Sequence, residues 1–366
     1  MRLNMHKLKN KFKRLFMSAA TIGTACLLAG CAAGGCGAGA AAGTDNSSVT
    51  ESQSGVNGSE QENASSDSQK LQIVATIFPE YDWVKEILGD QADNVDLTLL
   101  LGNGTDMHSF QPTMEDILKV STCDLFIYVG GESDSWVADA LKGAGNPDRK
   151  AINLMDVLGD QVKEEEIVEG MQDEDGHTHE EEHTHDDDLE YDEHVWLSLK
   201  NASLFCDTIA SSLADADPEH SRLYQQNAED YEEKLAALDQ EYQTSVEKSQ
   251  SKTLLFADRF PFRYLIDDYN LTYYAAFAGC SAETDASFET ITFLAGKLDE
   301  LNLPAVLTIE NSDQKVAKAV IENTNTKDQK ILTLNSMQSV TTKDVEEGTT
   351  YLSIMENNLQ ILKEAL

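Results

Sequence analysis

From Leu71 onward, short apolar runs alternate with stretches of helical period. The first group of runs is LQIVATI (Leu71 to Ile77), VDLTLLL (Val95 to Leu101), CDLFIYVG (Cys123 to Gly130) and KAINL (Lys150 to Leu154). Between them lie helical patterns around YDWVKEILGD, from Met114, and over Trp136 to Leu141. The order repeats in a second group: KTLLFA (Lys252 to Ala257), LTYYAAF (Leu271 to Phe277), AVLTIE (Ala305 to Glu310) and KILTL (Lys330 to Leu334). Its helices are expected over Tyr264 to Tyr269, Ser287 to Leu301, Gln314 to Glu322 and Tyr351 to Ala365. Apolar runs of five to eight residues that alternate with helices predict parallel strands buried on both faces. The fold class is therefore α/β, with two similar lobes, each a parallel sheet flanked by helices. The halves share this architecture without recognisable identity.

A long helical pattern separates the groups. Tyr224, Tyr231, Leu235, Leu238, Tyr242 and Val246 form one stripe, with Asp217 as the expected N-cap and Pro218 at the first helical position. A helix of about thirty residues spans roughly 45 Å at 1.5 Å per residue, more than one lobe needs internally. It is expected to be a rigid helix linking the lobes; a coiled-coil arm is the alternative. The resulting division is residues 71–216 for the N-terminal lobe, including a His- and acid-rich loop at 163–193, then 217–249 for the linking helix and 250–366 for the C-terminal lobe.

The first thirty residues carry six basic side chains and no acid, followed by the apolar stretch MSAATIGTACLLAG. Residues 1–30 are expected to be a secretory signal of the lipoprotein type. It ends in LLAGC, where an aliphatic residue, two small residues and Cys31 match the bacterial lipoprotein box, so Cys31 is the expected lipidation site. Two acyl chains there would hold the protein stably on the outer face of the cell membrane. Residues 31–70, rich in Gly, Ala, Ser and Asn, read as a flexible tether. The net charge of −38 becomes −44 without the signal's six cationic groups, which argues against nucleic-acid binding and suits a cationic ligand. No CxxC pair occurs, so Cys123, Cys206 and Cys280 do not suggest a disulfide framework.

Imidazole is the commonest zinc ligand, and the chain concentrates it in DGHTHEEEHTHDDD, where His177, His179, His183 and His185 are four of its eight histidines. A run without apolar residues cannot preorganise ligands, so these four are expected to be an accessory that captures metal weakly beside a separate site. Candidates for that site are His108, in a glycine-bearing loop after VDLTLLL with Asp106 close by, and His194, in EYDEHVWLSLKNA. Parallel sheets bind ligands outside the carboxyl ends of their strands, which is where such loops lie.

GTDMHSFQPT and DEHVWLSLKNA resemble the first and second metal-binding motifs of the lipoprotein family that serves ABC transporters for zinc and manganese. The C-terminal GTTYLSIMENNLQILKEAL, the lipoprotein box, the His-rich run and the long helix resemble that family in order, over essentially all of Leu71 to Leu366. The resemblance implies one metal ion clamped between two lobes, with His108 and His194 as N-lobe ligands. It places the family's third ligand, often histidine, at Arg259, which offers no lone pair. Replacements are expected from GCSAETDASFETI, where Asp285 precedes a small-residue pair and Glu283 and Cys280 share the loop. Arg259 is then expected to support the site by pairing with Asp285 or Glu283. The family's last ligand position corresponds to Asn335, a poorer donor. A thiolate would favour zinc, whereas carboxylates with two imidazoles would also accept manganese.

The expected function is a monomeric, lipid-anchored binding protein that captures Zn2+, with Mn2+ as the alternative, and delivers it to an ABC permease. A surface adhesin is a further reading. A metallohydrolase is less favoured: neither GxSxG nor a phosphate-cradling loop occurs, so no enzymatic activity is expected.

Overall fold

The computed structural model describes residues 70–143, 145–172, 190–281 and 285–366. Two four-stranded, all-parallel sheets carry the described fold. The first has the order β2-β1-β3-β4, from β1 (Leu71–Ala75), β2 (Val95–Leu99), β3 (Leu125–Tyr128) and β4 (Lys150–Asn153). The second has the equivalent order β6-β5-β7-β8, from β5 (Thr253–Phe260), β6 (Thr272–Ala278), β7 (Ala305–Thr308) and β8 (Lys330–Thr333). Each strand falls inside or against one of the eight apolar runs. The largest difference is β5, which continues past Ala257 through Phe260, with a register irregularity between Phe256 and Arg259. Arg259 thus lies within a strand instead of a loop.

The crossover helices begin where capping groups follow the strand-end loops. Helix α1 (Phe78–Leu88) starts with Pro79 in its first turn, and α2 (Met114–Thr122) has a reciprocal cap between Thr113 and Asp116. The first lobe continues with α3 (Val137–Lys142), α4 (Leu154–Leu158) and α5 (Leu199–Ala216). In the second, α7 (Arg263–Asp268), α8 (Phe288–Leu301), α9 (Lys315–Glu322), α10 (Thr342–Glu346) and α11 (Tyr351–Ala365) follow the long α6 (Ser221–Lys248). Ser287 caps α8 by accepting from Thr290 N at 3.1 Å. Among the described residues, no helix is long and apolar enough to cross a membrane.

Helix α6 begins four residues after the expected N-cap. Asp217 instead closes α5, and its carboxylate accepts from His220 Nδ1 and Tyr224 Oη, both at 2.7 Å. That turn redirects the chain before α6 starts. All six stripe residues are buried, so α6, 28 residues long, packs against the core along that stripe.

The reason is visible in the core. One continuous apolar cluster runs through both lobes and includes Trp83, Trp196, Tyr231, Phe256 and Tyr351. Smaller clusters cover the outer faces of the sheets, around Phe126 in one lobe and Phe277 in the other. Buried hydrogen bonds lock the shared cluster. Trp196 Nε1 donates to Ser336 O (2.9 Å), Tyr351 Oη to Trp196 O (2.7 Å), and Tyr351 N to Asp82 (2.8 Å). Close packing of this kind transmits strain and resists sliding, so the lobes form one stiff body.

Candidate metal centre

Because the sheets have the same order, β2 and β6 are equivalent strands. The loop after β2 carries His108, and the loop after β6 carries Cys280. His194 precedes the short helical turn Val195–Leu197 that leads into α5. These three elements bring His108, His194 and Cys280 together, with one ligand atom of each within 4.8 Å of the others.

Side chains around the imidazoles fix their orientation. Asp106 caps the turn Met107–Ser109 by accepting from His108 N (3.1 Å), and His108 Nδ1 lies 2.9 Å from Ser133 Oγ and 3.6 Å from Glu193 Oε2. Asp192 accepts from both His194 N (2.8 Å) and His194 Nδ1 (3.0 Å), while Trp196 packs against the His194 ring. With both Nδ1 atoms engaged, the two Nε2 atoms face each other at 3.1 Å. Two imidazole nitrogens on a tetrahedral zinc at 2.0–2.1 Å stand about 3.3 Å apart. The observed pair therefore has nearly the separation that a bound ion requires.

A hydrogen bond between the two Nε2 atoms needs a proton on one of them. Burial pushes the His108 imidazole down to about 3, reinforced by the charge of His194. Burial also works against a charge on His194, but the Asp192 carboxylate outweighs it and raises that imidazole above its ordinary value. The two shifts run in opposite directions, so the surroundings favour a positive charge on His194 over one on His108. Cys280 completes the group as a thiol, since burial, followed by the charges of Glu165, Asp192 and Glu193, holds its proton well above the usual range. Metal ligation by this set must release protons.

Two glycines allow the close approach. A Cβ at Gly279 would lie 2.8 Å from Phe260 O and 3.1 Å from His194 Cε1. Gly131, at φ +80, would place one 2.3 Å from Glu193 Oε1, the atom that accepts from Ser133 N at 3.0 Å. Each glycine leaves room for a donor or its support.

The other sequence candidates stand apart from this group. Asp285 is exposed, and its main-chain oxygen accepts from Gln172 Nε2 at 3.4 Å. Asn335 Oδ1 is occupied by Met337 N at 2.7 Å, within a turn also tied to Asn358. Arg259 pairs with Asp106 across the lobes at 2.8 Å, not with Asp285. This partner follows from the continuation of β5, which carries Arg259 towards the loop after β2. Glu283, the four clustered histidines and Cys31 lie outside the described residues. Sequence reasoning did not single out Asp192, Glu193 and Ser133 as supports. The first two were legible as acids adjoining His194, whereas Ser133 carries no distinguishing signal in GGESD.

The family description "ZnuA: Zinc-uptake complex component A periplasmic" matches residues 73–365. The chain is 32% identical over 299 residues to the zinc-binding lipoprotein AdcA of Streptococcus pneumoniae, covering 81% of this chain and 56% of AdcA. It thus spans about half the length of that relative. It is 30% identical over 310 residues to the high-affinity zinc uptake system protein ZnuA of Bacillus subtilis, covering 85% of this chain and 92% of that one. Among solved structures, the metal-dependent lipoprotein YcdH of B. subtilis superposes with a TM-score of 0.64 at 26% identity, covering 81% of this chain and 99% of that one. The Zn(II)-bound ZnuA-like domain of S. pneumoniae AdcA does so with a TM-score of 0.62, also at 26% identity and with the same coverage. With a match that runs from β1 to the end of α11 and takes in His108, His194 and Cys280, the chain belongs to the zinc-uptake complex component A family.

Proposed function

We propose that this chain captures a single zinc ion between its lobes, outside the cytoplasm, and passes it to an ABC permease from a position anchored at the membrane through Cys31. The observation that carries the reading is the 3.1 Å approach of His108 Nε2 to His194 Nε2, with Cys280 in reach of both. Two imidazoles and a thiolate suit zinc better than manganese, which prefers oxygen donors. Three protein donors leave one position of a tetrahedron, as suits an ion that has to be released. The metal is cargo here, and the role is capture without turnover. The acidic net charge and the carboxylates of Asp106, Asp192 and Glu193 around the group support attraction of a cation.

Zinc titration of the purified chain against a chromophoric chelator tests the reading, together with zinc uptake by cells that produce it. One tight equivalent per chain is expected. His108→Ala or His194→Ala should each weaken it by orders of magnitude and abolish uptake under zinc limitation. Wild-type affinity and uptake in both variants would refute the reading.

A further inference from the structure

Residues 163–172 do more than connect the first lobe to the His-rich run, because they lie along the second lobe. Lys163 N donates to Tyr264 Oη (3.0 Å), Lys163 Nζ pairs with Asp267 (2.9 Å), and Glu166 pairs with Arg263 and accepts from Tyr273 Oη (3.3 Å). At the far end, Gln172 N donates to Ala276 O (3.0 Å), at the end of β6. Its side chain accepts from Ser287 N (2.7 Å) and donates to Asp285 O (3.4 Å). Gly170, at φ +88, presses so closely on Phe293 of α8 that a Cβ there would lie 2.0 Å from the ring. Between these anchors, Glu165 Oε1 accepts from the main-chain N–H of Cys280 at 3.0 Å.

The same strap also holds the other side of the centre. Asp192 N donates to Lys163 O (2.9 Å), Glu165 N donates to Glu190 O (2.9 Å), and Tyr264 Oη donates to Asp192 O (3.0 Å). Asp192 in turn orients His194. One ten-residue segment therefore grips the turn that presents an imidazole and the loop that presents the thiol.

We propose that Glu165 is a positioning residue for the thiol donor, and that the strap at 163–172 sets the separation of Cys280 from His194. The proposal rests on the reading of His108, His194 and Cys280 as ligands. A loop that begins at Gly279 needs an external hold to keep one side chain aimed at a gap a few ångströms wide. Glu165 supplies it at the ligand itself, and Gln172 supplies it where the loop enters α8. Supporting groups of this kind are worth about 10–100-fold in metal affinity.

Absorption of the purified full chain with one equivalent of cobalt(II) tests the proposal, since thiolate ligation gives a sulfur-to-cobalt charge-transfer band in the near ultraviolet. The wild type is expected to show the band and Cys280→Ser to lose it. Glu165→Ala should lower it by about half or more and weaken zinc binding about 10–100-fold. Glu165→Gln keeps an acceptor for the Cys280 N–H and should restore both. Gln172→Ala frees the other end of the loop, should lower the same band, and serves where Glu165→Ala does not fold. A full-strength band with wild-type zinc affinity in Glu165→Ala, or in Gln172→Ala where it stands in, overturns the proposal. A wild type without the band, or a Cys280→Ser variant that keeps it, instead overturns the ligand assignment beneath it.

Discussion

Replacing Gly279 with alanine adds one methyl group between the lobes, beside the three proposed donors. The new Cβ would stand 2.8 Å from Phe260 O and 3.1 Å from His194 Cε1. Ordinary contact begins near 3.4 Å, so the strand end must open by about half an ångström on the Phe260 side. That side is backbone within β5 and cannot swing away. The His194 ring is held by Asp192 and Trp196 and has no free space either. Overpacking of a tight interior costs about 1–3 kcal/mol, and here the displacement falls on the segment that carries Cys280. The expected outcome is a chain that folds with a lower melting temperature and binds zinc at least about tenfold more weakly, because donor misplacement is added to the strain. Calorimetric titration and thermal unfolding of the metal-free protein measure the two effects separately. Wild-type zinc affinity in Gly279→Ala would show that the loop after β6 does not set the donor geometry.

Other expectations follow from particular side chains. Asp192→Ala removes the acceptor for both His194 N and His194 Nδ1 and should weaken zinc binding about 10–100-fold, as read by chelator competition. Glu80 is fully buried at the start of α1 and accepts from Thr76 N and Ile77 N, and burial, then the charge of Asp134, push its carboxyl up to about 8 from 4.5. The folded state thus holds the proton more tightly than the unfolded one, so its contribution to stability is complete below about pH 4.5 and fades as pH rises through about 8. Chemical unfolding across that window should show this decline, and Glu80→Gln, which cannot titrate, should flatten it. Deleting residues 173–188 removes four histidines but neither His108 nor His194. One tight zinc per chain should remain while the weaker equivalents disappear; loss of the tight site would make the run the working site.

The fold was largely legible because buried parallel strands leave a simple mark. Each of the eight apolar runs contains or adjoins a strand, and Ser287 and Tyr351 mark helix starts where the pattern places them. Asp217 misled the reading of α6 because a carboxylate before proline also serves to end a preceding helix, and α5 lies directly before it. All three residues that the candidate site brings together were among the sequence candidates, with unequal clarity. His108 and His194 sit in recognisable motifs, whereas Cys280 shares its loop with Glu283 and with Asp285, the residue the sequence favours there. Geometry separates Asp285 from it: five residues further on, Asp285 is already at the exposed approach to α8 while Cys280 still adjoins the end of β6. Arg259 could not be placed from sequence because its partner, Asp106, is 153 residues away.

The central claim is that two imidazoles and one thiolate, drawn from both lobes, hold the captured ion. X-ray absorption at the zinc edge of the chain loaded with one equivalent tests it most directly. One sulfur at about 2.3 Å together with imidazole nitrogens at about 2.0–2.1 Å is expected, with loss of the sulfur shell in Cys280→Ser. A shell of nitrogen and oxygen alone in the wild-type chain would contradict it.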